Sequence, residues 1–472
     1  MTNRFSFLIG LAVLMLAWSC QNASTEAAAE TETPDLHAEV DAGKQAPELN
    51  WMKNANIYEV NVRQYTPEGT FAAFAEHLPR LKAMGVDILW FMPIHPISEK
   101  NRKGTLGSYY AVADFKAINP EFGTMDDWKA LVDTIHAMDM KVLIDWVPGH
   151  TGWDNHWITE HPEWYLKGPD GEITDPIQEN GETYGWTDVA DIDYTVPGLR
   201  NAMIDAMKFW VTESNIDGYR VDVAHSVPDD FWDEAVPQLH AIKPLFMLAE
   251  AEHAEHRNSG NYHMSYAWTY KDLINEVAQG KKKAEDIKAY FVQDRENFKK
   301  GWHMMFTTNH DENTWNGTVY ERHGDAVDAM TVLTFTVDGM PLIYSGQEAG
   351  MDKRLEFFEK DQIDWGDVSK ETFYAQLLTL KHENKALWNG SYGGEPQWIE
   401  TNESQDVIAF SREKEDDKVV VFVNLSAEAK EVKLNAEEHF GNYTDVFGNT
   451  GITLSSEESI QLAPHNYLVL SK

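Results

Sequence analysis

Short apolar runs rich in β-branched and aromatic residues alternate with segments of helical spacing through most of this chain. That alternation leaves few architectures open. The runs are Ile57–Tyr65, Val86–Met92, Lys141–Val147, Gly218–Val223, Leu245–Ala249, Met304–Thr307 and Pro341–Tyr344. Helical spacing marks Phe71–Met84, Asp126–Met138, Leu199–Ser214 and Ala326–Val337. Alternating β and α units imply a parallel sheet with helices outside it. Seven strands are readable, and His263–Trp268 supplies an eighth in the gap before Met304. Eight units predict an α/β fold of the closed (β/α)8 TIM-barrel type. An open doubly wound sheet is the competing arrangement, but no Gly-rich phosphate loop follows the first strand.

Two stretches break the rhythm. The first, from His150 to about Pro197, is rich in Trp, Gly, Pro and Asp and too long for an ordinary βα loop. It reads as an insertion after the third strand, on the side where barrels keep their active sites. The second begins after Lys381, where helical spacing gives way to short alternating runs at Val407–Ser411, Lys418–Val423, Glu431–Leu434, Tyr443–Val446 and Tyr467–Leu470. Residues 383–472 are therefore expected to form a separate antiparallel β-sandwich, and residues 50–382 the barrel.

The N-terminus has a different character. Arg4 precedes an apolar run from Phe5 to Trp18, and Cys20, the one cysteine of the chain, follows Ser19. The run is shorter than the ~17–25 residues of a bilayer span and suits an export signal. With its cysteine at the cleavage point it resembles a bacterial lipoprotein signal over residues 1–20, although Ala17-Trp18-Ser19 departs from the usual residues there. A plain signal peptide or an anchor with an incidental cysteine is the other reading. Residues 21–49, rich in Ala, Glu, Thr and Asp, read as a flexible acidic tether, with folding expected from about Trp51. Placement in the periplasm or on the outer membrane and cell surface would follow. Membrane contact is expected only through Cys20.

Charge narrows the partners. With 39 Lys and Arg against 77 Asp and Glu, the net charge is −38, a field that repels nucleic acid and anionic surfaces. It also predicts solubility and activity that tolerate sodium chloride. The 17 tryptophans offer flat apolar faces of the kind that sugars stack on.

Four expected strands end in polar clusters that do not belong in a core. They are Asp145-Trp-Val-Pro-Gly-His150, Arg220-Val-Asp222-Val-Ala-His225, Glu250 after Phe246-Met-Leu-Ala, and Asn309-His310-Asp311-Glu312 after Phe306-Thr-Thr. Any one cluster could be a helix cap or a surface ion pair. Four at the same end of successive strands point to one rim. Asp222 and Glu250 are 28 residues apart, about one βα unit, and Glu250 and Asp311 are 61 apart, about two. Three carboxylates with histidines and an arginine, and no Ser or Cys nucleophile motif, suit glycoside hydrolysis. Arg220, two residues from Asp222, shares its strand face and is expected to hold Asp222 ionised. The apolar run before Glu250 is expected to raise its pKa, as a general acid requires.

At these residues the chain resembles glycoside hydrolase family 13, the α-amylase family, from about Asn56 to the C-terminus. Further matching segments are Gly85-Val-Asp-Ile-Leu-Trp-Phe-Met-Pro93, Tyr109-Tyr110-Ala-Val-Ala-Asp114-Phe, Asp188-Val-Ala-Asp191-Ile-Asp193-Tyr and Gly339-Met-Pro-Leu-Ile-Tyr-Ser-Gly-Gln-Glu348. The resemblance implies a (β/α)8 barrel, a domain B at about 150–197 and a C-terminal β-sandwich. It implies Asp222 as nucleophile, Glu250 as acid/base and Asp311 as the stabiliser that binds sugar hydroxyls. Arg220 would orient the nucleophile, His150 and His310 would bind the same sugar, Tyr110 would stack beneath it, and Asp145 would support the site. A covalent glycosyl intermediate and net retention follow from the family mechanism, with the two carboxyl groups ~5–5.5 Å apart. Glu252 is the nearby rival to Glu250 but lies in a charged, His-rich stretch.

One position departs from the family. Gly149 stands where an Asn commonly binds structural calcium, leaving Asp191 a poor hard-cation site by itself. No cofactor or metal is therefore expected at that location, and calcium elsewhere stays open. Asp188, Asp191 and Asp193 then read as turn and cap residues. Trp90, Trp146, Trp153, Trp157, Trp186 and Trp315 are candidates for sugar stacking or for the core. The expected partner is an α-glucan or maltooligosaccharide, cleaved at α-1,4 bonds. Alternatives within the family are an α-1,6-acting enzyme (Val223 after the nucleophile is the cue), a cyclomaltodextrinase or neopullulanase, and a transglycosylase. Two readings of another class are a noncatalytic surface glucan-binding protein and the heavy chain of an amino-acid transporter. The retained carboxylates oppose the first, and the short N-terminal run opposes the second. Oligomeric state is not set by the sequence.

Overall fold

The computed structural model describes residues 46–178, 181–434 and 436–472. The expected signal segment, Cys20 and the tether before Ala46 lie outside the described residues. Among the described residues, no helix is long and apolar enough to cross a membrane. Attachment to the fold begins earlier than Trp51: the Pro47 carbonyl accepts from His263 Nε2 at 2.8 Å, and Leu49 is buried.

Eight parallel strands close a barrel. In chain order they are β1 (Ile57–Val60), β2 (Ile88–Phe91), β3 (Lys141–Trp146), β6 (Gly218–Val221), β7 (Phe246–Ala249), β8 (Met264–Tyr266), β9 (Trp302–Met305) and β10 (Met340–Tyr344). Each lies beside its predecessor, and β10 pairs with β1 to close the ring. These strands are buried on both faces, which is why they read as unbroken apolar runs. Alternate residues serve different layers. Ile57, Ile88, Trp90, Leu143, Phe246, Leu248 and Met304 fill the barrel interior, whereas Tyr58, Leu89, Phe91, Val142, Ile144 and Met247 pack against the helices. Gly218 opens β6 because a Cβ there would meet the Phe246 carbonyl oxygen at 1.9 Å.

Several strands are shorter than their apolar runs. Ile57–Tyr65 breaks at Asn61 and continues as the helix Val62–Tyr65, and Gly218–Val223 ends at Val221. The residues beyond each break belong to the rim, buried by loops rather than by the sheet. Past β3 the chain forms β4 (His150–Gly152), which pairs antiparallel with β5 (Val189–Asp191) at the base of the long insertion.

The C-terminal region holds β11 (Gln397–Trp398), β12 (Val407–Lys414), β13 (Asp417–Asn424), β14 (Lys430–Val432), β15 (Gly441–Asp445), β16 (Gly451–Leu454), β17 (Ile460–Leu462) and β18 (Tyr467–Ser471). Six of these form one sheet in the order β11-β12-β13-β18-β15-β16, and β14 pairs with β17. Val407, Ala409, Val420, Phe422 and Leu470 share a small core with Val432 and Leu462 of that pair and with Leu434 just beyond β14. The opposite face, with Ile408, Phe410, Val419, Val421 and Val423, joins the main core. Arg412 on β12 donates to the carbonyls of Thr336 and Val337, capping the end of the buried helix Val327–Thr336. β11, β16 and β17 escaped the sequence reading because they are short and largely half-buried or exposed.

Candidate active site

The rim clusters meet at the C-terminal end of the barrel. Asp145 lies in β3, Arg220 in β6, Asp222 directly after β6, Glu250 directly after β7, and His310 and Asp311 in the loop after β9. Rim backbone bonds fix their spacing: Asp222 N–H donates to Trp146 O at 2.8 Å, Glu250 N–H to Val221 O at 2.9 Å, and Ala224 N–H to Glu250 O at 3.1 Å.

Arg220 is the hub. Its Nη1 donates to Asp222 Oδ1 and Asp145 Oδ1, each at 2.9 Å, and its Nε donates to Tyr266 Oη at 3.0 Å. Its Nη2 lies 2.9 Å from Glu250 Oε2, an ionic contact without hydrogen-bond alignment. The same Glu250 oxygen accepts from Val223 N–H at 2.7 Å. Val223 makes that bond from the left-handed region, with φ +39°, where a β-branched residue is strained by ~1–3 kcal/mol.

A second chain of contacts crosses the barrel. His310 Nδ1 donates to Glu59 Oε1 at 2.5 Å. Its Nε2 lies 2.9 Å from Tyr110 Oη and 3.3 Å from Asp311 Oδ2. Tyr110 Oη donates to Asp145 Oδ2 at 3.0 Å, and Trp90 Nε1 reaches the same oxygen at 3.1 Å. The rings of Tyr110, His310 and Phe357 cluster, with Tyr110 5.5 Å from His310 and 6.1 Å from Phe357 and the latter two 6.3 Å apart. His150 Nε2 donates to the Tyr110 carbonyl at 3.2 Å, which orients the imidazole at the cleft wall.

Burial sets the charges. It pushes Glu250 up to about 8 against the pull of Arg220, with Asp222 and Asp311 adding to the rise. Burial also raises Asp222, to about 6, and here too Arg220 opposes it. Arg220 thus limits the rise of Asp222 rather than depressing it, because removal from water outweighs one ion pair. Burial opposes charge on His310, yet Asp311 and Glu59 push it up to about 9. Burial holds His150 neutral, down to about 4. Near neutral pH the site therefore combines an ionised Asp222, a protonated Glu250 and a cationic His310. Carboxyl groups set apart in this way can act as nucleophile and acid at one bond.

These groups line a cleft of about 510 Å³ that exposes Tyr110, His150, Asp222, Glu250, His310 and Asp311 together. Asp145 and Arg220 support it from beneath. Of the candidate tryptophans, Trp186 and Trp315 face the cleft. Trp90 and Trp146 are fully buried, Trp157 is nearly so, and Trp153 donates to the Thr187 carbonyl within the insertion. Glu252 spends its Oε2 on Thr269, accepting from N–H and Oγ1 at the start of the helix Trp268–Ala278. A Cβ on Gly149 would lie 2.8 Å from Ser226 Oγ, so a larger residue there would displace Ser226. Asp188 is ion-paired with Lys103 at 3.0 Å. Glu59, Lys103, Tyr266, Phe357 and Phe358 belong to the site and carried no sequence signal. Each reaches it through barrel closure or a loop.

The model of the α-amylase catalytic domain matches residues 35–432, most of the chain. This chain belongs to the α-amylase family. Residues 397–469 match the C-terminal domain of maltogenic amylases. Among solved structures, a noncanonic maltogenic α-amylase, AmyB from Thermotoga neapolitana, is 28% identical, with a TM-score of 0.79 over 89% of this chain and 99% of its own. An α-amylase from Lactobacillus plantarum is 30% identical, with a TM-score of 0.78 and the same coverage. The α-amylase MalA of Haloarcula japonica is 26% identical over 404 residues, 82% of this chain. The chain spans 57% of that relative's length.

Proposed function

We propose that this protein is a retaining α-glycoside hydrolase that cleaves α-1,4-glucosidic bonds in starch-like glucans or maltooligosaccharides. The observation that carries this reading is the single guanidinium of Arg220 in contact with both Asp222 and Glu250, with the two carboxyl groups set to opposite protonation states near pH 7. Asp222 attacks the anomeric carbon as the bond to the leaving oxygen breaks, and that oxygen takes the proton of Glu250. The resulting Glu250 carboxylate then draws a proton from water, whose oxygen attacks the same carbon and frees Asp222. Asp311, 34% exposed to the cleft, accepts from sugar hydroxyls, and cationic His310 donates. His150 binds the same sugar, and the Tyr110 ring lies beneath it. Water and side chains supply every proton and electron pair, so the chemistry needs no cofactor.

The names of the relatives, α-amylases and maltogenic amylases, support the substrate class. Arg4, the apolar run to Trp18 and Cys20 support export as a lipoprotein, periplasmic or on the cell surface, with residues 21–49 as tether. The working division is a barrel over 50–382, its insertion over 150–197, and a C-terminal domain over 383–472. Reducing-sugar release from maltoheptaose tests the activity. Wild type releases sugar, and Asp222→Asn lowers the rate by about 10⁴-fold. Failure of wild type on maltoheptaose, amylose, pullulan and isomaltose alike would refute the reading.

A further inference from the structure

A second cavity, of about 360 Å³, adjoins the catalytic cleft. It shares Trp186, Val223 and Glu250 with the cleft and adds Tyr184, His225, His253 and Trp268, but not Asp222, Asp311, His310 or Tyr110. An acid must reach the oxygen of the departing sugar. The space beside Glu250 and away from Asp222 therefore receives the leaving-group portion of the glucan. Trp186 stands in the wall between the two cavities. Its ring stacks on Tyr184 at 4.6 Å and 17°, and it lies 6.0 Å from His150. Tyr184 itself is 48% exposed.

Trp186 comes from the long insertion, where its carbonyl accepts from Val189 N–H at 3.2 Å and the Thr187 carbonyl from Trp153 Nε1 at 3.0 Å. Among the described residues, no hydrogen bond links this stretch to the opposite wall except through Lys103. Gly185 before it has φ +77° and open space where a Cβ would sit, and Thr183 and Thr187 are exposed. From the opposite wall, Lys103 in the loop after β2 reaches across. Its Nζ donates to the Gly185 carbonyl at 3.0 Å and pairs with Asp188 Oδ1 at 3.0 Å. These two anchor points flank Trp186 in the chain. Asp188 is buried, and Lys103 is about one-third exposed. One ammonium thus pins the segment on both sides of the indole.

We propose that Lys103 is a positioning residue, a latch between the two walls of the cleft that holds Trp186 as the platform for the leaving-group sugars. The proposal rests on the glycosidase reading above and names which residues set affinity on that side of the bond. Ordering the platform in advance spares the substrate that cost on binding. Loss of the latch should weaken long glucans while leaving the chemistry at Asp222 intact.

The test compares wild type, Lys103→Met and Lys103→Arg on maltoheptaose and on α-maltosyl fluoride, whose leaving group is one atom and needs no platform. The latch predicts that Lys103→Met raises KM for maltoheptaose about five-fold with kcat little changed. It predicts a markedly smaller loss of kcat/KM on the fluoride than on maltoheptaose, and partial rescue by Lys103→Arg. Trp186→Ala should reproduce the pattern and add little to Lys103→Met. Equal losses on both substrates, or none, would overturn the latch. Calorimetric binding of maltoheptaose in the Glu250→Gln background separates the two claims. There Lys103→Met weakens binding about five-fold if the latch is right, whether or not wild type turns the sugar over. Unchanged affinity overturns the latch, and an inactive wild type overturns only the glycosidase reading.

Discussion

Glu59 Oε1 accepts a 2.5 Å hydrogen bond from His310 Nδ1, joining β1 to the loop after β9 across 251 residues of sequence. Both groups are buried, and the contact exists because the barrel closes. It fixes the charge and the orientation of the imidazole that also touches Tyr110 and Asp311. Replacing Glu59 with Gln keeps the shape and removes the anion. His310 should then fall from about 9 toward neutrality, because burial is no longer opposed by that charge. We expect a loss of about 1–3 kcal/mol in stability and about ten-fold in kcat/KM. Denaturant melts and maltoheptaose kinetics measure the two.

The raised pKa of His310 also has a consequence for the wild type. A histidine whose folded pKa exceeds its unfolded value of about 6.5 stabilises the fold fully below that value. That stability is lost as pH rises through about 9. Glu250, raised to about 8, acts in the same direction from its unfolded value of about 4.3 upward. Thermal melts between pH 6 and 9.5 should therefore decline toward the alkaline end. The decline between pH 7 and 9.5 should be shallower in Glu59→Gln.

The rate should follow a bell. Asp222 must be ionised, so kcat/KM on maltoheptaose falls as pH drops through about 6. Glu250 must be protonated, so it falls again as pH rises through about 8. Fluoride leaves without a proton. On α-maltosyl fluoride the alkaline limb should therefore flatten while the acid limb stays.

The aromatic residues of the site divide by burial. Trp315 is 53% exposed against Phe357 and Phe358 at the cleft. Trp315→Ala should change stability by less than about 0.5 kcal/mol while raising KM. Trp90 is fully buried and hydrogen-bonds Asp145, so Trp90→Ala should cost about 3–5 kcal/mol. Paired melts and kinetics distinguish the two.

Seven of the eight barrel strands were legible because they are buried on both faces, and the eighth was placed by the gap before Met304. Asp145, Arg220, Asp222, Glu250, His310 and Asp311 stood out because each interrupts or ends such a run. The same logic hid Glu59. It lies inside Ile-Tyr-Glu-Val, an apolar strand, and its partner is known only once β10 returns beside β1. Lys103, Phe357 and Phe358 sit in irregular loops where neither period nor motif marks them. Arg220 opposes the rise of Asp222, as its place on the strand implied, but the depth of the site, invisible along the chain, outweighs that charge. Trp90 and Trp146 looked like Trp186 and Trp315 in sequence. Only the register of their strands sends the first pair into the core.

The central claim, that Asp222 forms the covalent intermediate, is tested most directly by trapping it. A 5-fluoro-α-glycosyl fluoride, turned over and quenched in acid, should leave a fluoroglycosyl adduct on the peptide that contains Asp222, read by mass spectrometry. The account predicts that adduct at Asp222, absent in Asp222→Asn. An adduct on another carboxylate, or turnover of this substrate with inverted product and no adduct, would contradict it.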